Sequence, residues 1–306
     1  MRILVIGYGS IAKKHILGLG RIDTNFEIFA LRHTAPADSI AGVQNIYSWE
    51  ELPKDLTFVL ISNPTSEHFN TIIKASELGI PLFIEKPPIS KLSDKQHVLA
   101  TVNKNKNITY CAFSLRFHPV IQWLKNNISV SDIIELSAYC GSYLPDWRPN
   151  VDYRKMYSAI KELGGGVHLD LIHELDYVYW LLGEPIEYSG SVSQLSDLEI
   201  NVPDYANYQL KYAHSIATIQ LNYYRKNPKR TIEIVLKNEE LFVDLINNKV
   251  IDSNKNILFE AENDLIGLYE NQMRYFISCI KEGKQPMNSL KEAIETLEIA
   301  LNVKSV

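Results

Sequence analysis

The chain has 306 residues and a formal net charge of −5, with 46% hydrophobic and 22% charged residues. That balance is typical of a globular protein; it sets up no basic field for nucleic acid and leaves no apolar run of membrane-spanning length. The length suits two domains. Cys111, Cys140 and Cys279 are scattered, odd in number and without metal-ligand spacing. They read as buried thiols in a reducing cytoplasm, with no metal site expected. The opening Met1 to Gly7 is too short for a signal-peptide core.

Residues 3–6 (Ile-Leu-Val-Ile) predict a buried strand, and Gly7-Tyr8-Gly9-Ser10-Ile11-Ala12 follows at once. Apolar residues then recur at helical spacing, which gives the strand, glycine turn and helix of a dinucleotide fingerprint. Gly7 makes the turn, and Gly9 lets the N–H groups around Ser10 and Ile11 approach a pyrophosphate at the helix N-terminus. A turn serving packing alone is the plainer alternative. The strand at 26–31 ends in Arg32-His33-Thr34, with no acid for ribose hydroxyls. Arg32 can fork onto a 2′-phosphate, so NADP(H) is expected over NAD(H).

A third strand at 56–61 leads into Ser62-Asn63-Pro64-Thr65-Ser66-Glu67-His68 and a helix stopped by Gly79. Helix capping alone would account for Asn63 and Thr65. The short strand 82–84 ends in Glu85-Lys86-Pro87-Pro88, where the prolines stop the ladder. Glu85 and Lys86 therefore stand at the carboxyl end of a parallel strand, where open α/β sheets bind ligands. A helix near 93–104 and a strand at 108–113 complete a right-handed doubly wound series.

Arg116 follows, as a candidate for substrate or for a structural ion pair, and then an amphipathic helix through Ile121, Leu124 and Ile128. Strands are predicted at 133–143, 186–195, 205–212, 215–223, 231–236 and 241–245. Short turns join them into a largely antiparallel open sheet with many tyrosines. Between the first two lies 144–157, with Trp147, Arg148, Tyr153 and Arg154, a composition suited to polyhydroxylated and anionic ligands. Gly164-Gly165-Gly166 opens a helix expected to run to about 182, ended by Gly183. On it Asp170, His173 and Asp176 are three apart and share a face. A carboxylate beside an imidazole suits a proton shuttle near neutral pH, although a solvated polar stripe would look the same. Two amphipathic helices, 265–281 and 290–303, close the chain.

Taken together, Gly7-Tyr8-Gly9-Ser10-Ile11-Ala12, Asn63-Pro64-Thr65-x-x-His68 and Glu85-Lys86-Pro87 resemble the Gfo/Idh/MocA oxidoreductases, the relatives of glucose-fructose oxidoreductase and inositol dehydrogenase. The resemblance covers essentially the whole chain. It implies an N-terminal Rossmann domain, 1–115, with a doubly wound parallel sheet. A C-terminal α+β domain, 116–306, would be built on a large, mostly antiparallel open sheet, with helix 290–303 packing back on the first domain. It further implies cofactor contacts at Asn63, Thr65, His68, Glu85, Lys86, Trp147 and Arg148, and a cis bond between Lys86 and Pro87. Lys86 would lie beside the nicotinamide and the reacting hydroxyl, with Asp170 and His173 as the acid/base pair. In the family the His follows the Asp by four residues; here it follows by three.

These readings converge on an NADP(H)-dependent oxidoreductase acting on a secondary alcohol or ketone of a sugar. The resemblance implies a sugar or a nucleotide-activated sugar as substrate, as in members associated with surface-polysaccharide synthesis. Arg116, Tyr153, Arg154, Asp170 and His173 are the candidate substrate contacts, and pairing through the open sheet is expected to give a homodimer or homotetramer. Two alternatives are a non-catalytic dinucleotide-sensing regulator, for which Lys86 and His173 would be dispensable, and a biliverdin-reductase-like enzyme with a non-sugar substrate.

Overall fold

The computed structural model describes residues 1–32 and 42–305. They form two compact units, Met1–Ser114 with Asp264–Glu295, and Leu115–Asn263 with the segment from Thr296 onward. His33 and Thr34 lie outside the described residues.

The first unit holds strands β1 (Arg2–Ile6), β2 (Glu27–Leu31), β3 (Val43–Ile46), β4 (Phe58–Ile61), β5 (Leu82–Ile84) and β6 (Thr109–Cys111), with helices α1 (Ser10–Ile22), α2 (Thr65–Ser76) and α3 (Lys95–Lys104). All pairings are parallel, in the order β3-β2-β1-β4-β5-β6. This order reverses direction between β1 and β4, the crevice where Rossmann sheets take dinucleotides. The central strands are apolar throughout because both faces are covered: Ile3, Leu4, Val5, Phe58 to Ile61 and Leu82 to Ile84 are all 0% exposed. Each such side chain contributes about 1.5–3 kcal/mol relative to exposure. Helix α1 also approaches the helix Leu265–Glu282 closely, since a Cβ on Gly18 would stand 2.9 Å from the Glu270 backbone. Strand β3 is absent from the sequence-based prediction; of its four residues only Ile46 is fully buried, so it carries little apolar signal.

The second unit begins with α4 (Pro119–Asn127) and β7 (Ile133–Tyr143), followed by α5 (Val167–Asp170) and α6 (His173–Leu182). Strands β8 (Glu187–Ser193), β9 (Tyr205–Lys211), β10 (Ile216–Asn222), β11 (Tyr224–Leu236), β12 (Glu240–Asp244), β13 (Lys249–Asp252), β14 (Ile257–Glu260) and β15 (Lys304–Ser305) complete it. The sheet order is β14-β13-β12-β11-β7-β10-β9-β8-β15. It is mostly antiparallel, with parallel pairing at β7–β10 and β8–β15. Helices α5 and α6 contact β7, β9 and β10. The buried alternation of these strands (Leu136, Ala138, Ala206, Tyr208, Ile219, Leu221) forms the core. The opposite alternation carries Ser137, Tyr139, Asn207, Gln209, Thr218 and Gln220, half-buried or exposed. A depression of about 430 Å³ lies on that face. It is more polar than the tyrosine count suggests.

Strand β11 starts seven residues before the predicted 231–236. Its early part carries Pro228 in an irregular stretch, where pairing with β7 jumps from Tyr224 to Lys229. Proline is tolerated in strands at such irregularities. No helix among the described residues is long and apolar enough to cross a membrane.

Candidate active site

The candidate residues divide between the two units, and each half has its own geometry. In the first unit they gather at the carboxyl ends of β1, β4 and β5. Gly7 has φ +88°, and a Cβ there would stand 2.2 Å from the Asn63 backbone nitrogen, so only glycine fits this close approach. Gly9 precedes α1 with open space where a Cβ would be, and as the N-cap residue it offers no side chain to cap the helix. Ser10 is exposed and Ile11 half-buried on this first turn. An uncapped helix N-terminus approached through a glycine is what a pyrophosphate requires. Arg32 continues from β2, its guanidinium 5.4 Å from the centre of the Tyr8 ring, and its buried Nη1 has no hydrogen-bond partner among the described residues. These donors fit a dinucleotide.

The Lys86 segment is braced from two sides. Glu85 is buried, and its Oε2 accepts from the Lys86 backbone N–H at 3.1 Å. Its Oε1 is hydrogen-bonded to His15 Nε2. The Lys86–Pro87 bond is cis, as the resemblance implies. His68, 1% exposed, sets Nδ1 3.0 Å from the Pro87 carbonyl and Nε2 2.9 Å from the Asn63 carbonyl. Burial lowers its pKa, against the two carbonyls and the Glu85 charge. A neutral ring has one N–H, so it donates to one carbonyl at a time. The Asn63 side chain donates to Thr71 at 2.8 Å, and Thr65 is buried at the start of α2. His68 and Glu85 thus brace the Lys86–Pro87 backbone through bonds within the protein.

In the second unit the helix expected from Gly166 to Leu182 is broken. Asp170 ends α5, Leu171 and Ile172 form a turn, and His173 begins α6. Asp170, His173 and Asp176 therefore do not share one helical face. The break lies between Asp170 and His173, where this chain is one residue short of the family spacing. Asp170 Oδ2 accepts from the buried Tyr223 hydroxyl at 2.6 Å. Burial first, and then the Asp170 charge, push the Tyr223 pKa well above its ordinary value, so the phenol keeps its proton and donates. Trp147 meets the Tyr223 ring edge-on at 5.2 Å and donates through Nε1 to Ser142 Oγ at 2.8 Å. Arg148 is exposed. The glycine run is sterically required: Gly164 and Gly166 have φ +91° and +124°, and a Cβ on Gly165 would stand 2.4 Å from the Tyr157 carbonyl. His168 is buried and pushed down to about 4 by that burial, so it is neutral at physiological pH.

Arg116 makes the structural ion pair that was the alternative to a substrate contact. It is 0% exposed and forms a bidentate pair with Asp176, Nε to Oδ2 at 2.9 Å and Nη2 to Oδ1 at 2.6 Å. Glu174, equally buried, accepts from Arg230 Nε at 2.6 Å. Helix α6 is thus tied by two ion pairs. Arg154 is exposed and bonded to Asp152 and Glu199, and the Tyr153 hydroxyl accepts from the Glu199 N–H at 3.3 Å. Sequence reasoning missed His15 and Tyr223 as site residues. A histidine on the apolar stripe of α1, and a tyrosine on the buried alternation of a strand, each need a polar partner when buried. That need was the available signal.

Two family models match the chain, one described as the oxidoreductase family, NAD-binding Rossmann fold, over residues 1–113, the other as the GFO/IDH/MocA C-terminal domain over 129–241. The chain belongs to the Gfo/Idh/MocA oxidoreductase family. That membership places it among the NAD-binding oxidoreductases. Scyllo-inositol 2-dehydrogenase (NAD(+)) of Bacillus subtilis is 23% identical over 287 residues, 87% of this chain and 81% of the relative. Among solved structures, UDP-N-acetylglucosamine 3-dehydrogenase from Acidithiobacillus ferrooxidans superposes with a TM-score of 0.81 at 20% identity, covering 99% of this chain and 96% of the other. The WlbA dehydrogenase from Bordetella pertussis, in complex with NADH and UDP-GlcNAcA, superposes with a TM-score of 0.81 at 16% identity, covering 98% and 94%. These structural likenesses establish the fold.

Proposed function

We propose that this Gfo/Idh/MocA protein is an NADP(H)-dependent dehydrogenase of a secondary alcohol on a sugar, with a nucleotide-activated sugar of surface-polysaccharide synthesis as the substrate. The observation that carries the reading is Lys86, held at the carboxyl end of β5 beside a dinucleotide cradle. The dinucleotide, when bound, accepts or delivers a hydride. Gly7, Gly9, Ser10, Ile11 and Arg32 hold it, with Trp147 and Arg148 assigned further contacts. The Lys86 ammonium stabilises the alkoxide that develops on the reacting oxygen, as a preorganised cation does in a water-poor site. His173 takes or gives the hydroxyl proton. Asp170, fixed by Tyr223, orients and polarises the imidazole. Tyr153 and Arg154 are assigned to the sugar.

Similarity to dehydrogenases named for inositol and for UDP-sugars supports the substrate class. A panel of inositols, free sugars and UDP-sugars, followed by nicotinamide absorbance, tests it: turnover is expected with a UDP-sugar above the others, and turnover confined to inositols would contradict it. The three free cysteines are all buried, which suits the cytoplasm to which we assign the protein.

Arg32 sets the cofactor preference in this reading. NADPH should bind more tightly than NADH, and Arg32→Ala should weaken NADPH selectively by about 1.5–3 kcal/mol, the loss of a charge-assisted hydrogen bond. Fluorescence titration of both cofactors checks this, and tighter NADH binding by the parent protein would overturn it.

The open face of the nine-stranded sheet is assigned to self-association. A closed dimer or tetramer is expected by light scattering at micromolar concentration, and a monomer there would contradict it.

A further inference from the structure

We infer that His15 and Glu85 form a buried positioning relay that fixes the Lys86 backbone and links helix α1 to the residue assigned to the reacting hydroxyl. The inference rests on the dehydrogenase reading above, and Lys86 is the group it serves.

The sheet stops holding the chain at this point. Glu85 N–H donates to the Ile61 carbonyl at 2.9 Å, the final ladder bond of β5 with β4. The next N–H, that of Lys86, turns instead to the Glu85 carboxylate, and Pro87 has none to offer. The Glu85 carboxylate therefore braces the Lys86 backbone from one side, as His68 braces the Pro87 carbonyl from the other. A carboxylate held by a single partner can swing about its terminal bond. Here Oε1 is bonded to His15 and Oε2 to the Lys86 N–H, so both oxygens are engaged from different directions.

The protonation state follows from what surrounds His15. The residue is 0% exposed, and its ring lies edge-on to Phe83 at 4.9 Å and to Tyr269 at 5.1 Å. Its Nδ1 is buried with no hydrogen-bond partner among the described residues. A proton on Nδ1 would be a dry, unsatisfied N–H, a rarer and costlier arrangement than a dry lone pair. The ring is therefore the neutral Nε2–H tautomer, donating to Glu85 and leaving the carboxylate its charge. That charge reaches Tyr269 as well, whose hydroxyl is pushed up first by burial and then by Glu85. Helix α1 carries the uncapped N-terminus assigned to the pyrophosphate and also His15, and so joins the cofactor cradle to Lys86 within one unit.

Three variants separate positioning from packing. A Gln side chain can place its amide nitrogen where Nε2 stands, an Asn reaches only as far as Nδ1, and Leu fills the apolar space with no donor. His15→Leu and His15→Asn are expected to lower kcat about 10²-fold, the scale of an ångström-sized misplacement, with NADPH affinity unchanged. His15→Gln should keep most of the parent rate. Full activity in His15→Leu, or equal losses in Gln and Asn, would overturn the relay. A second readout needs no substrate. In protein labelled with ¹⁵N at histidine and lysine, His15 should show a protonated Nε2 and a bare Nδ1. The Lys86 amide proton should lie downfield, move in His15→Leu and stay in His15→Gln. A Lys86 amide unmoved by His15→Leu, or a protonated Nδ1, overturns the relay. A parent protein inactive on every alcohol overturns the dehydrogenase reading alone, and the amide signal still decides the relay.

Discussion

Lys86→Ala and His173→Ala should each lower kcat by about 10²–10⁴-fold, the range for general acid–base and charge-stabilising groups, while leaving dinucleotide affinity unchanged. The cradle at Gly7 and Gly9 is set by the β1–α1 turn and by its close approach to Asn63, and neither Lys86 nor His173 is part of that turn. Asp170→Asn should cost less, because a carboxylate that orients the base transfers no proton itself. The chain's shortened spacing makes His173→Ala the sharper of the two tests. Near-full turnover in that variant would move the base to another group, His168 or Tyr153. His168 is poorly matched to the task, since burial pushes it down to about 4 and it is hard to protonate near neutrality. Single-turnover kinetics with a separate cofactor titration distinguish these outcomes.

Asp176→Ala should destabilise the protein by about 3–5 kcal/mol, because it removes the bidentate carboxylate from a buried guanidinium in a pair whose side chains are both 0% exposed. Replacing both together, Arg116→Met with Asp176→Leu, should recover most of that loss, since an apolar pair of similar volume needs no desolvation compensation. Urea unfolding followed by tryptophan fluorescence is the appropriate measurement. Trp123, Trp147 and Trp180 all belong to the second unit, and Trp180 lies 5.6 Å from the Arg116 guanidinium. A single variant as stable as the parent would return Arg116 to the candidate ligands.

Most of the framework was legible because it is local. Continuous apolar runs at 3–6 and 82–84 mark strands buried on both faces, and the glycine turn and Glu85-Lys86-Pro87 announce themselves in consecutive residues. What stayed hidden depends on distant partners. The turn at Leu171 and Ile172 interrupts an apolar helical pattern that has no Gly or Pro inside it, so nothing nearby signals the break. The ion pairs that orient the following helix join residues 60 and 56 positions apart, Arg116 with Asp176 and Glu174 with Arg230. His15 reaches Glu85 across 70 positions and Tyr223 reaches Asp170 across 53, so each looked like an ordinary member of a periodic element. Short strands such as β3 and β13 bury too few residues to show alternation.

The most direct test of hydride transfer is to follow a deuterium label from the carbinol carbon of a substrate to the nicotinamide in a single turnover. The parent enzyme, loaded with NADP⁺ and given a UDP-sugar deuterated at the reacting carbon, should yield reduced nicotinamide carrying deuterium at C4. Lys86→Ala should slow that transfer at unchanged NADP⁺ affinity. Unlabelled nicotinamide with every alcohol supplied, or transfer in Lys86→Ala as fast as in the parent, would contradict the assignment of this site.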